Sequence, residues 1–175
     1  MTDYRRNWIS GGTYFFTVVA ANRVIGPLVE HIDDLREAFR TVRAEHPFEI
    51  DAIVILPDHL HTLWTLPSGD SDYAMRWKKI KAAFSKRMPD NEPRSASRAA
   101  KGERGIWQRR FWEHTICDED DLRAHFDYIH FNPVKHGYVR ATSEWPHSIF
   151  RQYVDQGVYP MDWGGGGDGD RDFGE

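Results

Sequence analysis

Between Phe48 and Leu66 the sequence leaves little choice of structure. Two apolar runs rich in β-branched and aromatic residues, Phe48–Leu56 and Leu60–Leu66, are separated by Pro57-Asp58 and a histidine. Runs of that length and composition read as strands, and Pro-Asp is a natural turn. The spacing therefore predicts a hairpin, with His59 and His61 opening its second strand. Residues two apart on a strand share a face, so the two imidazoles project side by side and Leu60 points the other way. Neighbouring imidazoles on a rigid strand can hold one divalent cation. The same pair can also be two polar residues at a strand edge with no ligand.

The other elements follow from period. Thr13–Ala20 is aromatic and β-branched and reads as a first strand after the Gly11-Gly12 turn. Ile32, Leu35, Ala38, Phe39 and Val42 fall at helical spacing, as do Trp77, Ile80, Ala83 and Phe84 within Tyr73–Arg87. His114–Cys117 is a fourth strand, on which Cys117 is expected as a buried small hydrophobe. Asp118–Phe131 is a third helix, capped by Asp118 and expected to stop at Asn132-Pro133, because a residue before proline avoids the helical region. Ser148–Gln156 is a short amphipathic helix. The order strand, helix, strand, strand, helix, strand, helix predicts an α+β ferredoxin-like sandwich: an antiparallel sheet with helices packed mainly on one face. Residues 1–163 are expected as one domain. Within it, residues 88–105, rich in Pro, Ser, Arg, Ala and Gly, form a mobile loop, and the Gly/Asp-rich residues 164–175 form a disordered tail.

The one cysteine excludes an internal disulfide and a zinc cluster built from several cysteines. No apolar run approaches the length of a membrane span and no secretory signal opens the chain, so a cytoplasmic protein with no membrane partner is expected. The net charge of −4 speaks against a polyanionic partner only until its distribution is read. Twelve arginines and lysines crowd residues 76–110 against Asp90, Glu92 and Glu103. Acid collects at Asp118–Asp121 and after Asp162. A basic middle is a local electrostatic footprint for nucleic acid, or equally a solvated basic helix and loop.

On the third helix, Leu122, Phe126 and Ile129 form an apolar stripe. Beside it run Asp121, His125, Tyr128 and Asn132, at the margin where a helix presents polar groups to a sheet edge. Two imidazoles from a strand, an amide oxygen from a helix and a phenol one turn earlier make a possible constellation. Such donors suit Mg²⁺ or Mn²⁺ and leave positions open for phosphate oxygens. Tyrosine is a weak nucleophile with a pKa of about 10, so polarisation of a phosphoryl group by a metal would matter to it.

These residues resemble a known family. His59-Leu60-His61 is similar to the paired-histidine motif of the HUH endonucleases. Trp107-Gln108, Phe111-Trp112-Glu113-His114 and the run Asp127 to Gly137 resemble the REP-associated tyrosine transposases, as do Tyr4-Arg5-Arg6 and Gly11-Gly12-Thr13. The resemblance, running to about Trp163, implies a metal-dependent single-stranded DNA endonuclease and strand transferase acting on repetitive extragenic palindrome (REP) hairpins. Tyr128 would be the nucleophile, forming a 5′-phosphotyrosine, with His59, His61 and Asn132 as ligands of Mg²⁺ or Mn²⁺. Arg5, Arg6, Lys78, Lys79, Lys81, Arg109 and Arg110 would meet phosphates, and Trp8, Trp107 or Trp112 would stack on bases. The segment 89–105 is longer than the family pattern, and Arg109 stands where it has a proline. A two-histidine phosphoesterase would need two His-x-Thr/Ser motifs, which the chain lacks, and a replication initiator or relaxase would bring further domains. The alternative is a ferredoxin-like module that binds single strands without chemistry. The sequence does not choose between monomer and homodimer.

Overall fold

The computed structural model describes residues 7–24 and 26–165. Its elements in chain order are β1 (Thr13–Val19), α1 (Pro27–Glu30), α2 (Ile32–Glu45), β2 (Glu49–Ile55), β3 (His59–Thr65), α3 (Tyr73–Arg87), α4 (Ala96–Ala100), β4 (Trp112–Thr115), α5 (Glu119–Lys135) and α6 (Phe150–Asp155). A 3-10 turn at Thr142–Glu144 precedes α6. Arg5, Arg6 and the tail from residue 166 lie outside the described residues.

The sheet order is β2-β3-β1-β4, and every neighbouring pair is antiparallel. That is the ferredoxin-like arrangement, with the hairpin β2–β3 on one side and β1 between β3 and the short edge strand β4. The alternation of β3 divides its side chains cleanly. Leu60 and Trp64 join the larger core under α2 and α3, where the Trp64 and Trp77 indoles stack at 4.2 Å. Leu63 joins a smaller core with Phe15, Ala52, Val54 and Ile129, against which Leu122 and Phe126 of α5 also pack. Two long helices thus cover one face and α5 covers the other. A bulge between Ile50 and Ala52 resets the alternation of β2. It lets Ile50, Ile53 and Ile55 face α2 while Ala52 and Val54 face α5.

The starts of α3 and α5 are capped by aspartate side chains. Asp72 caps α3 by accepting from the Met75 amide at 2.9 Å. Asp118 caps α5 by accepting from the Asp121 amide at 2.9 Å. The far end of α5 differs from expectation. The helix does not stop at Asn132 but passes through Pro133 to Lys135. Asn132 and Pro133 are both buried, so packing holds the pair helical against its local preference. Closure comes at Gly137, in the left-handed region at φ 72°, where Tyr138 N–H donates to the Pro133 carbonyl at 2.9 Å. Cys117 also departs from expectation: the strand ends at Thr115 and the thiol is exposed.

Residues 88–105 show no sequence period but hold α4 and a charged pin. The Arg104 guanidinium pairs with Glu92 (Nη2 to Oε2, 2.8 Å) and donates to the carbonyls of Ser85 and Pro89 at 2.9 and 2.7 Å. That pairing pulls the Glu92 carboxyl down to about 2.

Candidate active site

The site lies between β3 and α5, on the sheet face that α5 covers. Antiparallel register sets Thr17 opposite His61 and Val19 opposite His59. The two imidazoles sit together as the period-two argument requires, with ring centroids 5.0 Å apart. Each is held by its Nδ1. His59 Nδ1 donates to Asp58 Oδ1 at 2.7 Å, and His61 Nδ1 lies 2.9 Å from the Thr17 hydroxyl. Asp58 is itself fixed by Arg23 at 2.6 Å. Burial would raise the Asp58 carboxyl, but the hydrogen bonds from Arg23 and His59 outweigh it and hold the group below the usual range. Burial drives the His61 imidazole well below its ordinary value, helped by the charges of His59, His136 and Lys135. His61 is therefore neutral, and its Nε2 is buried without a hydrogen-bond partner.

Along α5, Tyr128, Asn132 and His136 follow at intervals of four and form one stripe. Tyr128 stands over His61 at 5.1 Å between ring centroids, and His136 over His59 at 5.2 Å. Asn132, one turn from each, is fully buried, and neither polar atom of its amide has a partner. Lys135 places its ammonium 5.1 Å from the Tyr128 ring centroid. Phe15 of β1 supports the group from beside, 5.5 Å from His61 and 5.8 Å from Tyr128.

Among the described tyrosines, Tyr128 is the one with a ring contact to His61. Tyr14 and Tyr73 are fully buried in the opposite core. Tyr153 is engaged by the Asp51 carbonyl, and Tyr159 donates to Asp127 at 2.6 Å. Burial, joined by that carboxylate, pushes the Tyr159 phenol far above its ordinary value. Burial also raises Tyr138.

The metal that the resemblance implies fits these residues. Anchoring of each Nδ1 by an oxygen leaves Nε2 as the nitrogen for an ion, which is how outer partners orient metal-bound histidines. A buried amide with no partner is costly unless something else engages it. His59, His61 and Asn132 together offer two nitrogens and one oxygen to a single divalent ion.

Among the described residues expected to meet DNA, the three lysines of α3 lie away from this site. Lys78, Lys79 and Lys81 ride on α3, across the sheet. Lys78 is exposed, Lys79 contacts Glu45 and His46, and Lys81 donates to the Gln108 carbonyl at 3.0 Å. Arg109 pairs with Glu103 at 2.7 Å and Arg110 is exposed. Trp8 is half exposed and stacks on Tyr73 at 4.6 Å. Trp107 requires correction. Its bridge to Ala20 draws the indole into the core, 5.3 Å from Phe84, and only 6% of it is exposed, so it has no face for a base. Trp112, by contrast, is 49% exposed and meets Phe15 edge-on at 5.6 Å. Part of the basic middle is engaged by the protein itself. Arg76 is buried against Asp70 and the carbonyls of Pro47 and Asp72, and Arg98 donates to the carbonyls of Arg104 and Trp107.

His136, Asp58, Thr17 and Lys135 were not singled out from sequence. His136 had a signal, since it continues the Tyr128–Asn132 spacing, but that signal counts only if the helix survives Pro133.

Comparison with known proteins bears on the family and the fold. Residues 9–132 match the family model described as IS200-like transposase. An Escherichia coli REP-associated tyrosine transposase is 47% identical over 165 residues, covering 94% of this chain and 92% of its own. A Haemophilus influenzae relative is 46% identical over 169 residues, 96% of each chain. A solved REP-associated tyrosine transposase bound to a REP hairpin superposes with a TM-score of 0.81 at 46% identity, covering all of this chain and 98% of that one.

Proposed function

The chain belongs to the IS200-like transposase family, among its REP-associated tyrosine transposases, and from that premise we propose that it cleaves and rejoins single-stranded DNA at REP hairpins through Tyr128. The observation that carries this reading is the position of Tyr128, 5.1 Å from His61 and one helical turn from the buried, unpartnered amide of Asn132.

The Tyr128 phenol oxygen would attack a DNA phosphorus. The bond to the 3′ oxygen breaks, leaving a free 3′-hydroxyl and a 5′-phosphotyrosine. No bond energy is lost to water, so the same linkage can be reversed onto another 3′-hydroxyl. A divalent ion, Mg²⁺ or Mn²⁺, held by His59, His61 and Asn132 would polarise the phosphoryl oxygens. The protein residues do the rest. Asp58 and Thr17 orient the two imidazoles, and α5 fixes the phenol one turn from Asn132 on a rigid element. The Lys135 ammonium, over the tyrosine ring, favours negative charge arriving at the phosphate.

Lys78, Lys81, Arg109 and Arg110 remain candidates for phosphate contact away from the cleavage site, and Arg5 and Arg6 for contact from the N-terminal arm. The test is a denaturing gel of protein with labelled REP hairpin DNA carrying single-stranded flanks, with and without Mg²⁺ or Mn²⁺. A metal-dependent covalent band that disappears in Tyr128→Phe is expected. A native-gel shift with no covalent band under either metal would favour the binding module instead.

A further inference from the structure

Between the end of β4 at Thr115 and the start of α5 at Glu119, a second group of donors converges away from the histidine pair. His114 comes from β4, Cys117 from the connection and Asp121 from the first turn of α5. One donor atom from each lies within 4.8 Å of the others. We propose that His114, Cys117 and Asp121 form a second metal site, for Zn²⁺ or a similar borderline transition ion, which ties β4 to the helix that carries Tyr128.

The donor set decides the class of ion. One thiolate, one imidazole and one carboxylate suit Zn²⁺ and its neighbours, whereas Mg²⁺ and Ca²⁺ take oxygen and reject sulfur. The carboxylate is already positioned. His125 Nδ1 is hydrogen-bonded to the Asp121 backbone carbonyl at 2.8 Å, and the Cys117 amide donates to the carboxylate Oδ2 at 2.8 Å. Outer hydrogen bonds of this kind orient metal-bound carboxylates. Burial would raise the Asp121 carboxyl, but the Cys117 amide and His114 hold it ionised below its usual range.

His114 Nε2 now lies 2.8 Å from Asp121 Oδ2. Two ligands at zinc–donor distances stand about 3.3 Å apart, so an ion needs that hydrogen bond to open by roughly half an ångström. The Cys117 thiol is exposed and donates to the Thr115 carbonyl at 3.4 Å, a contact that rotation of the side chain would exchange for the ion. Three protein ligands leave a fourth position for water. The His125 ring continues from the cluster to Phe15 at 4.6 Å, and Phe15 touches both His61 and Tyr128. None of this depends on the DNA chemistry proposed above, and the readouts need no DNA.

The test is titration of the reduced full-length chain with Co²⁺, followed by absorbance. Cys117 is the chain's one cysteine, so a sulfur-to-cobalt charge-transfer band in the near ultraviolet reports on it alone. We expect one such band, displaced by Zn²⁺, absent in Cys117→Ser and retained in His59→Ala/His61→Ala. His114→Asn should weaken Co²⁺ binding at this site by at least about tenfold. If the double histidine variant fails to fold, the wild-type band still identifies the site, since neither histidine carries sulfur. Absence of the band in the reduced wild-type chain would overturn the proposal. So would a band unchanged by His114→Asn, which would mean that a solitary thiol binds cobalt.

Discussion

His130→Leu should change how the protein responds to acid more than how stable it is at neutral pH. His130 is fully buried on the outer side of α5, with ring centroids of Phe150, Tyr153 and Tyr159 at 5.4 to 5.6 Å. Neither ring nitrogen has a hydrogen-bond partner. Burial alone lowers its pKa from 6.5 to about 4. The unfolded chain therefore takes up the proton first. The stability held by the neutral ring is fully present above pH 6.5 and is lost as pH falls toward 4. Linkage puts the loss at about 2 kcal/mol by pH 5 and about 3 kcal/mol below pH 4. For a chain of this size 2 kcal/mol corresponds to roughly 4–8 °C in Tm. Leucine carries no proton and leaves no nitrogen unsatisfied. Thermal unfolding followed by circular dichroism from pH 7.5 to 5.0, for both proteins, isolates the effect, because every other titrating group is shared. The variant should gain on the wild type steadily as pH falls. A Tm difference constant across that range would refute the reasoning and mean that His130 titrates alike in both states.

Asp58→Asn removes the carboxylate that holds His59 Nδ1, and Mn²⁺ affinity measured by calorimetry should fall by about 10–100-fold with the fold intact. Trp77→Ala deletes an indole stacked between α3 and β3, and the loss read from urea unfolding should be about 3–5 kcal/mol. Arg104→Ala removes the pin from Glu92 and the carbonyls of Ser85 and Pro89. Limited trypsin digestion should then cut within residues 94–101 markedly faster than in the wild type, while Tm changes little.

The elements that could be read from sequence were those whose period matches their burial. The β2–β3 hairpin and α3 carry unbroken apolar patterns, and the histidine pair and Tyr128–Asn132 spacing followed from period two and period 3.6 alone. What stayed hidden depends on contacts between distant residues. That Thr17 meets His61 is a matter of β1–β3 register, which neither strand states by itself. His136 was concealed by Asn132-Pro133, whose local preference ends a helix, although burial of both residues carries α5 one turn further. Trp107 stands among basic residues like a base-stacking group, and only its bridge to Ala20 shows that it points inward. The internal use of part of the basic middle was hidden for the same reason. Charge in a sequence does not say whether Arg76, Arg98 or Arg104 will find carbonyls of its own chain.

The most direct test of the account identifies the atom that carries the DNA. The covalent complex formed with a REP hairpin and Mn²⁺ would be trimmed with nuclease, digested with trypsin and read by mass spectrometry. The account predicts a nucleotide on the peptide from Ala124 to Lys135, attached at Tyr128. A nucleotide on another tyrosine, Tyr138 for example, would contradict it, because α5 would then present the wrong hydroxyl to the histidine pair.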